Sequence, residues 1–197
     1  MSRRDNEKKE MIYNIQKATI DIINTEGYEK LSIRKIATKI EYSATNIYNY
    51  FENKGKIIES IILMKSKEVV LKVEKKLKSA MDKTIEEQFE LFVRTFIKEM
   101  LKEPEQVKAV IQSGYNIFGG YDIENEEKHP NQVFEFMKMG IEANEIRKDI
   151  SEVSVILIMT SLLGFIAMVV NENLNQKELE TLIDEEVKIL WKGIKRS

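Results

Sequence analysis

Apolar residues recur at steps of three and four along most of the chain, a period that predicts helices rather than strands. Over residues 6–25, Ile12, Ile15, Ala18, Thr19, Ile22 and Ile23 form one stripe, and Gly27 is placed to end that helix. Two shorter patterns follow at 32–40 and 43–51. In the first, Ile33, Ile36, Ala37 and Ile40 share a face; in the second, Ile47 and Phe51 do, and Ser32 and Ser43 are placed to cap the two starts. A longer pattern covers 56–80, with Ile57, Ile58, Ile61, Val69, Val70, Val73 and Leu77. Thr84 and Glu87 form a capping box opening a helix at 85–101. Pro104 suits the first turn of a helix over 105–115, and 114–130 is glycine-broken and acidic, which predicts loop. Further helices are expected at 131–144, at 153–170 after a box made by Asp149 and Glu152, and after Asn175 and Glu178 to the end. With 2 Pro and 8 Gly in 197 residues, the expected fold class is all-α.

The run VSVILIMTSLLGFIAMVV at 153–170 is close to the roughly 20 apolar residues that span a bilayer. Glu152 and Glu172 bracket it, and no Lys or Arg cluster or aromatic belt marks an end. A helix apolar all round and outside a membrane must be covered on every side. A second subunit is the expected cover, through 153–170 and 177–194, with Ser154, Ser161, Gly164 and Ala167 permitting close approach. A helical adaptor or membrane-associated protein built around 153–170 is the alternative.

Charge and chemistry narrow the choice. Residues 1–56 hold 11 Lys and Arg against 8 Asp and Glu, and the remainder 20 against 25, so a basic head precedes an acidic body. Cysteine is absent, which removes thiol catalysis, disulfides and cysteine metal sites and suits a reducing cytoplasm. The start MSRRDNEKKE has no apolar run behind its charges and does not read as a secretory signal. Glu126 and His129 have a Glu-x-x-His spacing, but a di-iron bundle needs two such pairs. Glu124, Glu126 and Glu127 read as a solvated face. No enzyme activity, cofactor or metal site is expected.

The stretch at 32–54 reads as two short helices joined by a tight turn, a helix-turn-helix. With Ile47 and Phe51 inward, Ala44, Thr45, Asn46, Asn49 and Tyr50 are expected outward. Asn pairs with adenine edges, Thr and Ala methyls meet the thymine methyl, and Tyr hydroxyls reach phosphates. A short surface helix rich in Asn and Tyr is also an ordinary feature of helical proteins.

Residues 12–58 resemble the DNA-binding domain of the tetracycline-repressor (TetR) family. Ala18, Glu26-Gly27-Tyr28, Ile36-Ala37, Ser43, Ile47-Tyr48, Tyr50-Phe51 and Asn53-Lys54 fall at the family's spacings. Two positions depart from it: Ile40-Glu41 stands where the family has a small residue and Gly, and Gly55 follows the lysine in place of an acidic residue. Gly takes a left-handed conformation without steric cost, whereas another residue there costs of order 1 kcal/mol, so a differently shaped turn is expected.

The resemblance implies a three-helix head at 1–56 and a helical effector-binding and dimerisation body at 57–197. The implied protein is a homodimeric regulator that binds a palindromic double-stranded operator and answers to a small molecule. It further implies that Ser32, Tyr48 and Lys54 meet phosphates and that Arg34, Asn46, Asn49 and Tyr50 lie near base edges, with Thr45 a candidate for either; Ser43 and Ala44 belong to the same surface. In the body, large adaptable side chains suggest an apolar pocket. Its expected walls are Phe89, Phe92 and Phe96, then Val107, Ile111, Tyr115 and Phe118, then Phe134 and Met137, with Phe165 or Met168 as floor.

Overall fold

The computed structural model describes residues 3–114 and 131–196, and these residues contain nine α-helices and no named strand. The expectations placed on Tyr115, Phe118, the acidic group, His129 and the loop at 115–130 lie outside the described residues. The chain divides into two compact units that interleave in sequence: Met1–Glu68 with Glu103–Tyr115, and Val69–Lys102 with Asn116–Ser197.

The first unit holds α1 (Arg3–Glu26), one 3₁₀ turn (Tyr28–Lys30), α2 (Ile33–Lys39), α3 (Ala44–Tyr48), the first part of α4 (Lys54–Lys78) and α6 (Pro104–Gln112). Its core gathers Ile15, Ile22 and Ile23 of α1, Ile36 and Ala37 of α2, Ile47 of α3, and Ile57, Ile58 and Ile61 of α4. Helix α6 packs on α1 and on the 3₁₀ turn, burying Ala109 in that core. Pro104 stands in its first turn, as proline's fixed φ and missing N–H favour.

The second unit holds the rest of α4, α5 (Ile85–Met100), α7 (Asn131–Glu142), α8 (Glu152–Val169) and α9 (Gln176–Ile194). The box expected at Thr84 is present: the Glu87 N–H donates to Thr84 Oγ1 at 3.2 Å, and the Thr84 N–H donates to the Glu87 carboxylate at 3.0 Å. Asn175 and Glu178 open α9 in the same way. Helix α8 corrects the expectation. Its cap is Ser151, whose hydroxyl accepts from the Ser154 N–H, while Asp149 lies outside and pairs with Arg147 at 3.2 Å. Helices α8 and α9 pack on α5, where Phe89 is fully buried with its ring centroid 5.5 Å from Trp191 and 6.3 Å from Phe136. Arg94 ties α5 to α9 through Glu90 on its own helix and Glu180 and Asp184 on the other.

Helix α8 is long and apolar enough to cross a membrane by length and composition, yet only a third of it is buried. Val155, Ile158, Met159, Leu162, Phe165 and Ile166 face the unit's interior. Val153, Leu157, Ser161, Gly164 and Met168 form a stripe on the other side, with Leu157 63% exposed, and Ile189 of α9 is 62% exposed.

Candidate nucleic-acid interface and internal cavity

Helices α2 and α3 are held by their caps and by the core beneath them. Ser32 Oγ accepts from the Lys35 N–H and Ser43 Oγ from the Asn46 N–H, both at 3.2 Å, and either hydroxyl keeps its own proton to donate elsewhere. The turn between them is a Schellman closure: the Tyr42 N–H reaches Ala37 O at 2.9 Å and the Glu41 N–H reaches Thr38 O at 3.3 Å. Glu41 occupies the glycine position with φ 60°, so the side chain is carried in the left-handed region. The expectation of a differently shaped turn is thereby corrected. The closing hydrogen bonds and the packing of Ile36, Ala37 and Ile47 hold the glycine-type conformation in spite of the Cβ.

On this frame Thr45, Tyr48 and Asn49 are exposed, Tyr48 by 55%, and Asn46 is half-buried. Ala44, Asn46 and Tyr50 differ from the outward placement expected: all three are half-buried, and Ala44 and Tyr50, at the two ends of the five-residue α3, pack against the head core. The cations on and near α2 are not equivalent. Lys35 pairs with Glu26 and Lys39 with Asp21, whereas Arg34 is exposed with no ion-pair partner among the described residues. At the start of α4, Asn53 Oδ1 accepts from the Lys56 N–H, and Lys54 Nζ lies 4.1 Å from the centre of the Tyr28 ring. The ring thus holds the ammonium in place without neutralising it. Tyr42, half-exposed in the turn, is a surface residue that the periodic pattern passed over.

In the second unit the large side chains of α5 divide. Phe92 and Phe96 line a cavity of about 60 Å³, but Phe89 is core, stacked on Phe136 and tilted against Trp191. The other walls are Val70, Val73, Glu74 and Leu77 of α4, Val133 and Phe136 of α7, and Met159 of α8. Several expected liners fall elsewhere. Met137 and Phe165 are buried but do not border the cavity, Phe134 is half-buried beside it in sequence, and Met168 is 50% exposed on the outer stripe of α8. Val107 and Ile111 are on α6 in the first unit. On α4, Val70, Val73 and Leu77 belong to the apolar stripe expected from the sequence, which Glu74 interrupts, but that stripe was not expected to border a cavity.

Residues 15–61 match the family described as bacterial regulatory proteins, tetR family. None of the curated proteins matches the chain. Among solved structures, a TetR-family transcriptional regulator from Haemophilus influenzae is 21% identical, with 96% of this chain and 98% of that one covered and a TM-score of 0.64. The fatty acid degradation regulator FadR from Bacillus halodurans is 18% identical over 91% and 94%, TM-score 0.68. RolR, solved with its ligand resorcinol, is 13% identical over 96% and 90%, TM-score 0.69. At these identities the structures share the fold.

Proposed function

We propose, from the match of residues 15–61 to the tetR family of bacterial regulatory proteins, that the chain is a dimeric transcriptional repressor of that family, released from its operator by a small molecule. The observation that carries the reading is the capped α2–α3 pair, whose outer surface offers Thr45, Tyr48 and Asn49 and the exposed Arg34, with no acidic residue on α3. Amide and guanidinium groups such as those of Asn49 and Arg34 suit base edges, and Ser32, Tyr48 and Lys54 suit the phosphates on either side.

A dimer follows from the geometry of two-fold readers, whose recognition helices sit about one DNA turn, roughly 34 Å, apart. The stripe Val153, Leu157 and Met168, with Ile189, is the surface we assign to it. A membrane-associated role for α8 would use the same stripe, but Ser161 there hydrogen-bonds the Glu186 carboxylate at 2.9 Å, a polar pair suited to a protein partner rather than to hydrocarbon. The effector site is assigned to the cavity between α4, α5, α7 and α8. RolR carries resorcinol and FadR is named for fatty acid degradation, which fits an apolar or amphipathic effector. Release requires that the effector bind the DNA-incompetent state more tightly than the competent one, since equal affinity shifts nothing.

Operators selected from random duplex test the reading. Asn46→Ala is expected to cost about 1–3 kcal/mol on the selected site with little change on random DNA, whereas Tyr48→Phe weakens both alike. Equal losses for Asn46→Ala on both would remove its base-reading role, and binding of duplex that does not weaken with salt would remove the DNA reading altogether.

A further inference from the structure

We infer that the cavity of the second unit takes a compact organic cation, an alkyl- or arylammonium; this rests on the effector reading above and specifies the charge of the ligand. Its walls are hydrocarbon and aromatic with one exception, the carboxylate of half-buried Glu74. Among the described residues Glu74 has neither an ion-pair nor a hydrogen-bond partner. Lys78, one turn further along α4 at the spacing that favours a Glu to Lys pair, is exposed and makes no such bridge. Most other carboxylates on α5 and α9 near charged neighbours are bridged, Glu90 and Glu180 by Arg94 for example, so an unanswered carboxylate at a cavity wall stands apart.

Position 74 falls in the stripe Val70, Val73, Leu77, where an apolar residue would fill space and bury area. A carboxylate there loses part of its hydration and recovers nothing from the described residues. A bound ammonium would supply the missing partner. The rings of Phe92, Phe96 and Phe136 line the same space, and a cation within about 6 Å of a ring face is attracted by it. A neutral molecule would leave Glu74 unanswered, and an anion would be repelled by it.

The size also discriminates. At about 60 Å³ the cavity has room for a few waters' worth of ligand and is smaller than the roughly 150 Å³ apolar cavity that holds a benzene, so the group it accepts in this form is small.

Isobutylammonium, isobutanol and isobutyrate are matched in size and differ in charge. Titration of each into the full chain, followed by the methyl NMR signals of Val70, Val73 and Met159, reads binding at the site itself. The expected result is that isobutylammonium binds at least tenfold more tightly than the other two. Glu74→Gln, which keeps the shape of the side chain, should weaken the cation about tenfold and leave isobutanol within twofold. Isobutanol or isobutyrate binding as tightly as the cation, or an unchanged cation affinity in Glu74→Gln, would overturn the cation assignment and leave an apolar effector pocket standing. Methyl signals unmoved by all three would remove both.

Discussion

Glu41 shows how a single residue can keep a backbone form that its chemistry disfavours. A side chain with a Cβ in the left-handed region costs about 1–2 kcal/mol, and glycine gives back part of that gain through its freer unfolded chain. Glu41→Gly is therefore expected to stabilise the protein by about 0.5–1 kcal/mol, read as a higher urea midpoint at unchanged m-value. Asn144 ends α7 with the same closure and φ 58°, but Asn tolerates that region, so Asn144→Gly should shift the midpoint by less. Glu99 makes a different kind of prediction. Its carboxyl is held down to about 2 from the ordinary 4.5 by hydrogen bonds from Lys102, foremost, and from Lys72. The folded state thus favours the ionised form, and the stabilisation is complete above about pH 4.5 and fades as pH falls through 2. Glu99→Gln should lower the melting temperature at neutral pH and flatten its decline between those two values; an acid profile unchanged from wild type would contradict this.

At the scale of elements, what could be read from the sequence was set by how local the cause is. Thr84 with Glu87 and Asn175 with Glu178 announced their helices because a cap needs only residues three apart. The same rule misplaced the start of α8, since Asp149 with Glu152 satisfies the spacing as well as Ser151 with Ser154, and spacing alone does not choose between them. The exposed Thr45 and Asn49 could be read from period and type, and Tyr48 only from the resemblance, but the half-burial of Ala44, Asn46 and Tyr50 could not, because it depends on where a five-residue helix stops. The cavity was least legible: its walls come from four helices, and aromatic content alone does not separate Phe92, which borders it, from Phe89, which is core. Gly140 was passed over for a similar reason. A Cβ there would lie 2.4 Å and 2.6 Å from side-chain carbons of fully buried Ile146 and 3.1 Å from Ile85, so this glycine lets the turn after α7 close over its own helix. Gly140→Ala should improve helix propensity by up to about 1 kcal/mol, yet overpacking costs about 1–3 kcal/mol, so a net loss of stability is expected in denaturant unfolding.

For the molecule as a whole, the outer stripe of α8 is the feature with the widest reach. Leu157 is largely exposed in the single chain, so Leu157→Arg disturbs little of the interior but places a charge at the centre of the assigned dimer surface. It should yield monomers by sedimentation, with a helical circular dichroism spectrum like wild type and with operator binding lost; a dimer that persists would move the interface elsewhere. The end of α9 is stitched to the turn after α7, the Arg147 N–H donating to Ile194 O at 2.9 Å and the Arg196 N–H to Glu145 O at 2.8 Å. If, as proposed, a second copy completes the apolar face of α8, abundance also becomes a variable. When protomers are scarcer than the dissociation constant of the pair, the DNA-competent species grows as the square of their concentration, by mass action. Doubling expression would then quadruple the species that can occupy an operator, so gene dosage would tune the regulated promoter more sharply than any one-to-one binding curve allows.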